Sequence, residues 1–262
     1  MQIGLREVDG QTLRVGVRRG DKARPPLLIF NGIGASIEMV EPFLAALDGP
    51  EAIVFDVPGV GGSPAPRLPY RPWTLARMSA QLLDQLGYDA VDVLGVSWGG
   101  ALAQQFAFQQ GTRCRRLVLA ATSPGHLMVP GKLTVLVKMA TPRRYKDPSY
   151  MGRIAGDIYG GAFRSSPELV RTHLRHVRWS SDYGYYLQLF AGFGWTSLPW
   201  LAFLRQPTLV MAGTDDPIVP LANGRILARL IPDARLVTVD DGHLFLVTSA
   251  GQSADIIAEF LN

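Results

Sequence analysis

Ser97 stands in Gly95-Val96-Ser97-Trp98-Gly99, the pattern G-x-S-x-G. A serine hydroxyl is a weak nucleophile until a base takes its proton. The pattern therefore carries chemistry only if the chain also supplies a base and a group to orient that base. The local context favours a nucleophile. "VDVLG" ahead of the serine is a short apolar run, and "GGALAQQFAFQQ" behind it is helix-like. A sharp turn from strand to helix strains its central residue and leaves no room for side chains beside it, which explains the glycines. Such a turn lifts the hydroxyl above the sheet, with a helix N-terminus behind it to favour developing negative charge. A tight structural turn with an incidental serine is the competing explanation, and the remaining residues decide between them.

The chain has four histidines: His126, His173, His176 and His243. The first three fall in a long segment without strand patterning. His243, in "VDDGHLFLV", follows the last strand-like run. With a nucleophile on a strand-turn-helix, the acid and then the base come later in the chain, so His243 is the candidate general base. The orienting acid should follow the preceding strand, where "PTLVMAGTDDPIVP" offers Asp215 and Asp216. Asp216, the third residue after Gly213, is preferred, and Asp215 stays open as the alternative. Asp240 and Asp241 adjoin His243, but adjacency in sequence does not give the side-chain geometry, so they are expected to serve the loop. An oxyanion would need two backbone N–H donors. Trp98, directly after the serine, supplies one. Ile33, in the loop "NGIGAS" where Gly32 and Gly34 keep the backbone open, supplies the other. His173 and His176 have a three-residue helical spacing, but no carboxylate or thiolate stands near them, so no metal is expected. Serine acyl transfer needs no organic cofactor, and none is expected.

These residues need a scaffold. "QTLRVGVRR" alternates like a half-buried strand, and "PPLLIF", "EAIVFDV", "AVDVLGV", "RLVLAAT", "PTLVMAG" and "ARLVTVD" are short apolar runs bounded by turn residues. Such runs suit parallel strands buried on both faces. Helix-like stretches lie between them, among them "SIEMVEPFLAAL", "TLARMSAQLLDQL", "LANGRILARLI" and "SADIIAEFL", with Thr74 and Ser97 placed to begin helices. The alternation predicts an α/β fold with a mostly parallel sheet. It breaks once, over more than eighty residues between Thr122 and Pro207. A structureless loop of that length is not expected in a compact domain. We therefore read residues 1–123 and 207–262 as the core domain and 124–206 as a helical lid. The lid holds 13 of the 24 Phe, Tyr and Trp residues, and 11 Lys and Arg against 4 Asp and Glu, a net +7 in a chain of net +4.

Composition narrows the function class. The 262 residues are 47% hydrophobic and 18% charged, as in a globular protein with a sizeable core. One cysteine, Cys114, precludes an intrachain disulfide. The N-terminus lacks an apolar signal region and no stretch is long and apolar enough for a transmembrane helix, so the expected location is the cytoplasm. The positive charge comes without any nucleic-acid-binding motif, and no nucleic-acid partner is expected.

The whole chain resembles the α/β-hydrolases. More narrowly it resembles the intracellular medium-chain-length polyhydroxyalkanoate depolymerases, through "LLIFNGIGA", "FDVPGVGGS", "GVSWGGALAQQFA", "PRRY", "IYGGAFR", "GYYLQLFAGFGWTS" and "DDGHLFL". Asn31 stands where many hydrolases carry histidine, as fits the depolymerase group. The resemblance implies an α/β-hydrolase fold with an eight-stranded sheet, Ser97, Asp216 and His243 as a catalytic triad, and a hydrophobic polyester or acyl ester as substrate. It further implies that the enzyme works at the polymer granule, where the basic, aromatic lid would meet an anionic surface or an anionic product. The same machinery would serve a carboxylesterase or lactonase acting on small soluble esters, and also carbon–carbon bond hydrolases and cofactor-free haloperoxidases. A non-catalytic binding protein of this fold would ordinarily lack one of the three residues. Epoxide hydrolases and haloalkane dehalogenases carry aspartate as nucleophile, which this chain does not.

Overall fold

A computed structural model describes residues 1–262. Eight strands form one sheet: β1 (Gln2–Val8), β2 (Gln11–Arg18), β3 (Leu27–Phe30), β4 (Ala52–Phe55), β5 (Val91–Val96), β6 (Cys114–Ala120), β7 (Thr208–Gly213) and β8 (Ala234–Val239). Their spatial order is β1-β2-β4-β3-β5-β6-β7-β8. β1 pairs antiparallel with β2, and β2 with β4; every other pairing is parallel. The helices of the body are α1 (Glu41–Ala46), α2 (Pro72–Leu86) and α3 (Trp98–Gln109). Between β6 and β7 come α4 (Leu133–Met139), α5 (Arg143–Lys146), α6 (Pro148–Tyr159), α7 (Pro167–His176) and α8 (Asp182–Gly192). The chain closes with α9 (Leu221–Leu230), α10 (Phe245–Thr248) and α11 (Ala250–Leu261).

The apolar runs form the central strands because both faces of the sheet are covered. Successive side chains of a strand point to opposite faces. In β3, Leu28 and Phe30 join the core beneath α2 and α3, whereas Leu27 and Ile29 join the core beneath α1 and α11. All four are buried. The edge strand β1 is exposed over six of its seven residues, and it leaves no apolar run in the sequence.

Two helix starts differ from expectation. α2 begins at Pro72, two residues before Thr74, after an extended Arg71. Proline fits this first position because its fixed φ is already helical and its missing N–H would have had no partner. "SIEMVEPFLAAL" divides into a 3₁₀ turn over Ile37–Val40 and the short α1, with Pro42 in the first turn of α1.

The segment between β6 and β7 is helical, yet it packs in two ways. Val135, Met151, Ile154, Ile158, Phe163 and Val170, from its first part, form a small core of their own that Ile218 of the loop after β7 completes. Leu187, Ala191, Leu201 and Leu204, from its second part, join the main core beneath α2 and α3. Five of the segment's eleven cations are paired with carboxylates: Lys138, Arg143, Lys146, Arg164 and Arg171. A sixth, Arg144, is buried. Four of those five partners are the segment's own carboxylates, already counted in the net +7; only Arg164 pairs outside it, with Asp215.

Candidate active site

In an open parallel sheet, ligands bind where loops leave the carboxyl ends of the strands. The register brings four such ends together. Phe30 pairs with Gly95, Val96 with Ala120, and Gly213 with Val239. The loops after β3, β5, β7 and β8 carry Ile33, Ser97, Asp216 and His243 respectively.

Ser97 has φ 54° and ψ −117°, a backbone that side-chain-bearing residues rarely adopt. Three hydrogen bonds hold it there. Its N–H donates to the Ala120 carbonyl at 2.9 Å, and its own carbonyl accepts from the Gly100 N–H at 2.9 Å and the Thr122 hydroxyl at 2.7 Å. The neighbouring glycines are required sterically. A Cβ on Gly95 would stand 2.5 Å from that of Ala103, and one on Gly99 would stand 2.1 Å from the Phe30 carbonyl oxygen. Gly99→Ala should therefore push α3 off β3, destabilising the fold by about 3 kcal/mol or more. Urea unfolding checks this, and a variant as stable as the wild type would contradict it.

Ser97 is not capped to its helix by its own side chain. Its Oγ lies 2.9 Å from His243 Nε2, and His243 Nδ1 lies 2.7 Å from Asp216 Oδ2. Asp216 and His243 are buried. The other Asp216 oxygen accepts from the N–H groups of Ile218 and Val219, both at 2.9 Å. A carboxylate held this way fixes the imidazole tautomer that leaves Nε2 able to accept the serine proton. Asp215 turns the opposite way. It takes the Arg164 guanidinium at 2.6 and 3.0 Å and the Gly161 N–H at 2.8 Å. The arginine holds its carboxyl below the usual aspartate range. Asp240 accepts from Thr214. Asp241 is buried and accepts from the N–H groups of Ala162 and Gly242 and the hydroxyls of Thr248 and Ser249.

Of the two amides expected to face an oxyanion, that of Trp98 follows Ser97 directly, and Ile33 lines the same cavity as Ser97. The Trp98 N–H lies ahead of the first intrahelical bond of α3. The Ile33 N–H donates to no group of the chain. Gly32 brings this loop against the serine, since a Cβ on it would lie 3.7 Å from that of Ser97.

Sequence reasoning missed how the helices above the sheet hold these parts. The Ile33 carbonyl accepts from Tyr145 Oη at 2.6 Å, and the Gly34 N–H donates to Gln188 Oε1 at 2.7 Å. The Gln188 carbonyl accepts from the Trp98 indole at 2.9 Å. The His243 N–H donates to the Tyr159 carbonyl at 2.7 Å. Gly34 has φ +71°, and a Cβ there would meet the Tyr145 ring at 2.6 Å. Gln188→Ala strands the Gly34 N–H and frees one side of the loop. We expect kcat to fall about tenfold or more with KM little changed, because the loop positions a transition-state donor. Steady-state kinetics on a soluble ester checks this, and a kcat within twofold of wild type would contradict it.

Above Ser97 lies a cavity of about 70 Å³ that opens to solvent. Thirteen of its 19 lining residues are hydrophobic, Met39, Val40, Phe43, Leu94 and Leu246 among them. His173 lines it as well, whereas His176, three residues along α7, bonds the Thr172 carbonyl through Nδ1.

This chain belongs to the α/β-hydrolase fold family, whose model matches residues 25–250. Among its relatives it is 58% identical to a poly(3-hydroxyalkanoate) depolymerase of Ectopseudomonas oleovorans, over 97% of this chain and 90% of that one. It is 32% identical to a pimeloyl-[acyl-carrier protein] methyl ester esterase of Aromatoleum aromaticum, over 84% of this chain and 91% of that one. Among solved structures, an enol-lactonase from Burkholderia xenovorans LB400 superposes with a TM-score of 0.84 at 23% identity, covering 98% of this chain and 99% of its own.

Proposed function

We propose that this protein is a serine carboxylic-ester hydrolase that cleaves poly(3-hydroxyalkanoate), with Ser97 as nucleophile, His243 as general base and acid, and Asp216 as its orienting carboxylate. The observation that carries this is the unbroken hydrogen-bonded line from Ser97 Oγ through His243 to buried Asp216, at the floor of an apolar cavity. The polyester comes from the depolymerase of Ectopseudomonas oleovorans, at 58% identity along nearly the whole chain.

Ser97 Oγ bonds to the ester carbonyl carbon as His243 Nε2 takes the hydroxyl proton. The negative oxygen rests on the Ile33 and Trp98 N–H groups, each of which contributes about 10²–10³ in rate in such sites. Collapse breaks the bond to the alcohol oxygen, which receives the proton from His243. Water then repeats the cycle on the acyl-serine and frees the acid. Met39, Val40 and Phe43 would receive an alkyl side chain.

The helices of 124–206 act in this reading as a lid over the site. Leu133, Val137, Phe190, Phe193 and Phe203 expose their apolar side chains there, which supports work at the surface of a water-insoluble polymer granule. No helix is long and apolar enough to cross a membrane. The reading is of a cytoplasmic enzyme at the granule, without cofactor or metal.

The test is hydrolysis of amorphous poly(3-hydroxyoctanoate) granules beside p-nitrophenyl octanoate. Release of 3-hydroxyoctanoate from the granules is expected. Cleavage of the small ester with the granules untouched would leave an esterase for soluble substrates.

A further inference from the structure

Two buried polar side chains face the cavity and have no role in the triad. Arg144, on α5, is 1% exposed, and no carboxylate lies within ion-pair distance. Its Nη1 donates to Tyr185 Oη at 2.7 Å, its Nη2 reaches Tyr145 Oη only at 3.4 Å, and its Nε has no partner. Both phenols spend their own protons elsewhere, on the carbonyls of Ile33 and Met139. The guanidinium carbon lies 4.5 and 5.2 Å from the centres of the Tyr145 and Tyr185 rings. Ring faces and neutral hydroxyls offset part of the burial of a charge, but a guanidinium is always charged and presents five donors in a fork shaped for a carboxylate. His173, on α7, is 2% exposed, and neither ring nitrogen has a partner. Burial, with His176 and Arg144 adding to it, holds its pKa down to about 4, so it is neutral near pH 7 and has one N–H to donate. Both residues line the cavity that contains Ser97 and His243.

We propose that Arg144 and His173 form a carboxylate subsite in the cavity above Ser97, filled by the carboxylate of a terminal or free 3-hydroxyacyl unit. This rests on the polyester-hydrolase reading and goes beyond it. A polyester of hydroxy acids is uncharged along its length and carries a carboxylate at one end only. That carboxylate belongs to the alcohol side of the last ester bond. When it sits on Arg144, the bond offered to Ser97 is the last one. Ser97 Oγ bonds to its carbonyl carbon, the bond to the terminal unit's oxygen breaks, and that oxygen takes the proton from His243. One 3-hydroxy acid leaves, and the rest of the chain remains on Ser97 until water releases it. Cleavage thus begins at the carboxyl end, and the released acid competes for the same subsite.

The test compares the 3-hydroxyoctanoate trimer as free acid with its methyl ester. It also compares 3-hydroxyoctanoate with methyl 3-hydroxyoctanoate as inhibitors of p-nitrophenyl octanoate cleavage. Charge-assisted hydrogen bonds predict that the acid trimer is preferred about 10- to 100-fold in kcat/KM, with a similar ratio between the inhibitors. In Arg144→Met both ratios should fall to about one, and Arg144→Lys should keep part of them. A preference among trimers assigns the subsite to chain ends, and a preference among inhibitors alone assigns it to the free acid. Either supports the carboxylate site. Ratios near one in both wild-type comparisons overturn it, and so does a preference that survives in folded Arg144→Met. The wild-type comparisons stand even if the buried substitutions fail to fold. If neither trimer is cut, the polyester reading fails while the inhibitor pair still decides the subsite.

Discussion

Ser97→Ala should lower kcat on p-nitrophenyl octanoate by about 10⁵–10⁶ while leaving the fold intact. The size follows from what the residue does. Without Oγ no acyl-enzyme forms, and only the N–H donors and the cavity remain to favour attack by water. The stability should not fall, because the Ser97 side chain bonds only His243, whereas the strained turn is held by backbone bonds to Ala120 and Gly100 and by the Thr122 hydroxyl. His243→Ala should cost a similar factor. Residues acting as one unit are not additive, so Ser97→Ala/His243→Ala should be little worse than either alone. Single-turnover kinetics on the three variants checks this. A double variant that loses the product of the two factors would mean that the residues act separately.

Asp216→Asn should lower kcat by about 10⁴, whereas Asp215→Asn should stay within about threefold of wild type. The two carboxylates are adjacent in sequence and opposite in role. A carboxamide in place of the Asp216 carboxylate would offer its N–H to His243 Nδ1 and favour the tautomer whose Nε2 carries a proton and cannot accept one from serine. Asp215 faces Arg164 in a partly exposed pair, and such pairs contribute about 0–1 kcal/mol. Parallel rate measurements on both variants would settle the assignment, and a larger loss from Asp215→Asn would reverse it.

The sheet was legible because its central strands are buried on both faces, which writes continuous apolar runs into the sequence. Ser97 was legible because the turn that lifts it excludes side chains at positions 95 and 99. His243 and Asp216 were pointed to by chain order at strand ends, with Asp215 left open; what the sequence did not record is that Asp216 faces His243 while Asp215 turns to Arg164. The clasp from Tyr145, Tyr159 and Gln188 was not legible. Each acts across 84 to 154 positions of sequence through one bond to a loop, and no local pattern records such a bond. Arg144 looked like one more surface cation in a basic segment, because composition counts charge and cannot tell a buried guanidinium from a solvated one. The two-part packing of residues 124–206 escaped for a related reason. The apolar residues of α8 read alike whether they pack within a lid or against the body.

The proposed activation of Ser97 by His243 leaves a chemical signature on the serine itself. The most direct measurement is labelling with a fluorophosphonate, followed by mass mapping of the modified peptide, on the wild type and His243→Ala. One adduct per chain on Ser97, lost or greatly slowed in His243→Ala, is the predicted result. An adduct on another residue, or hydrolysis that continues at full rate with Ser97 unmodified, would contradict it.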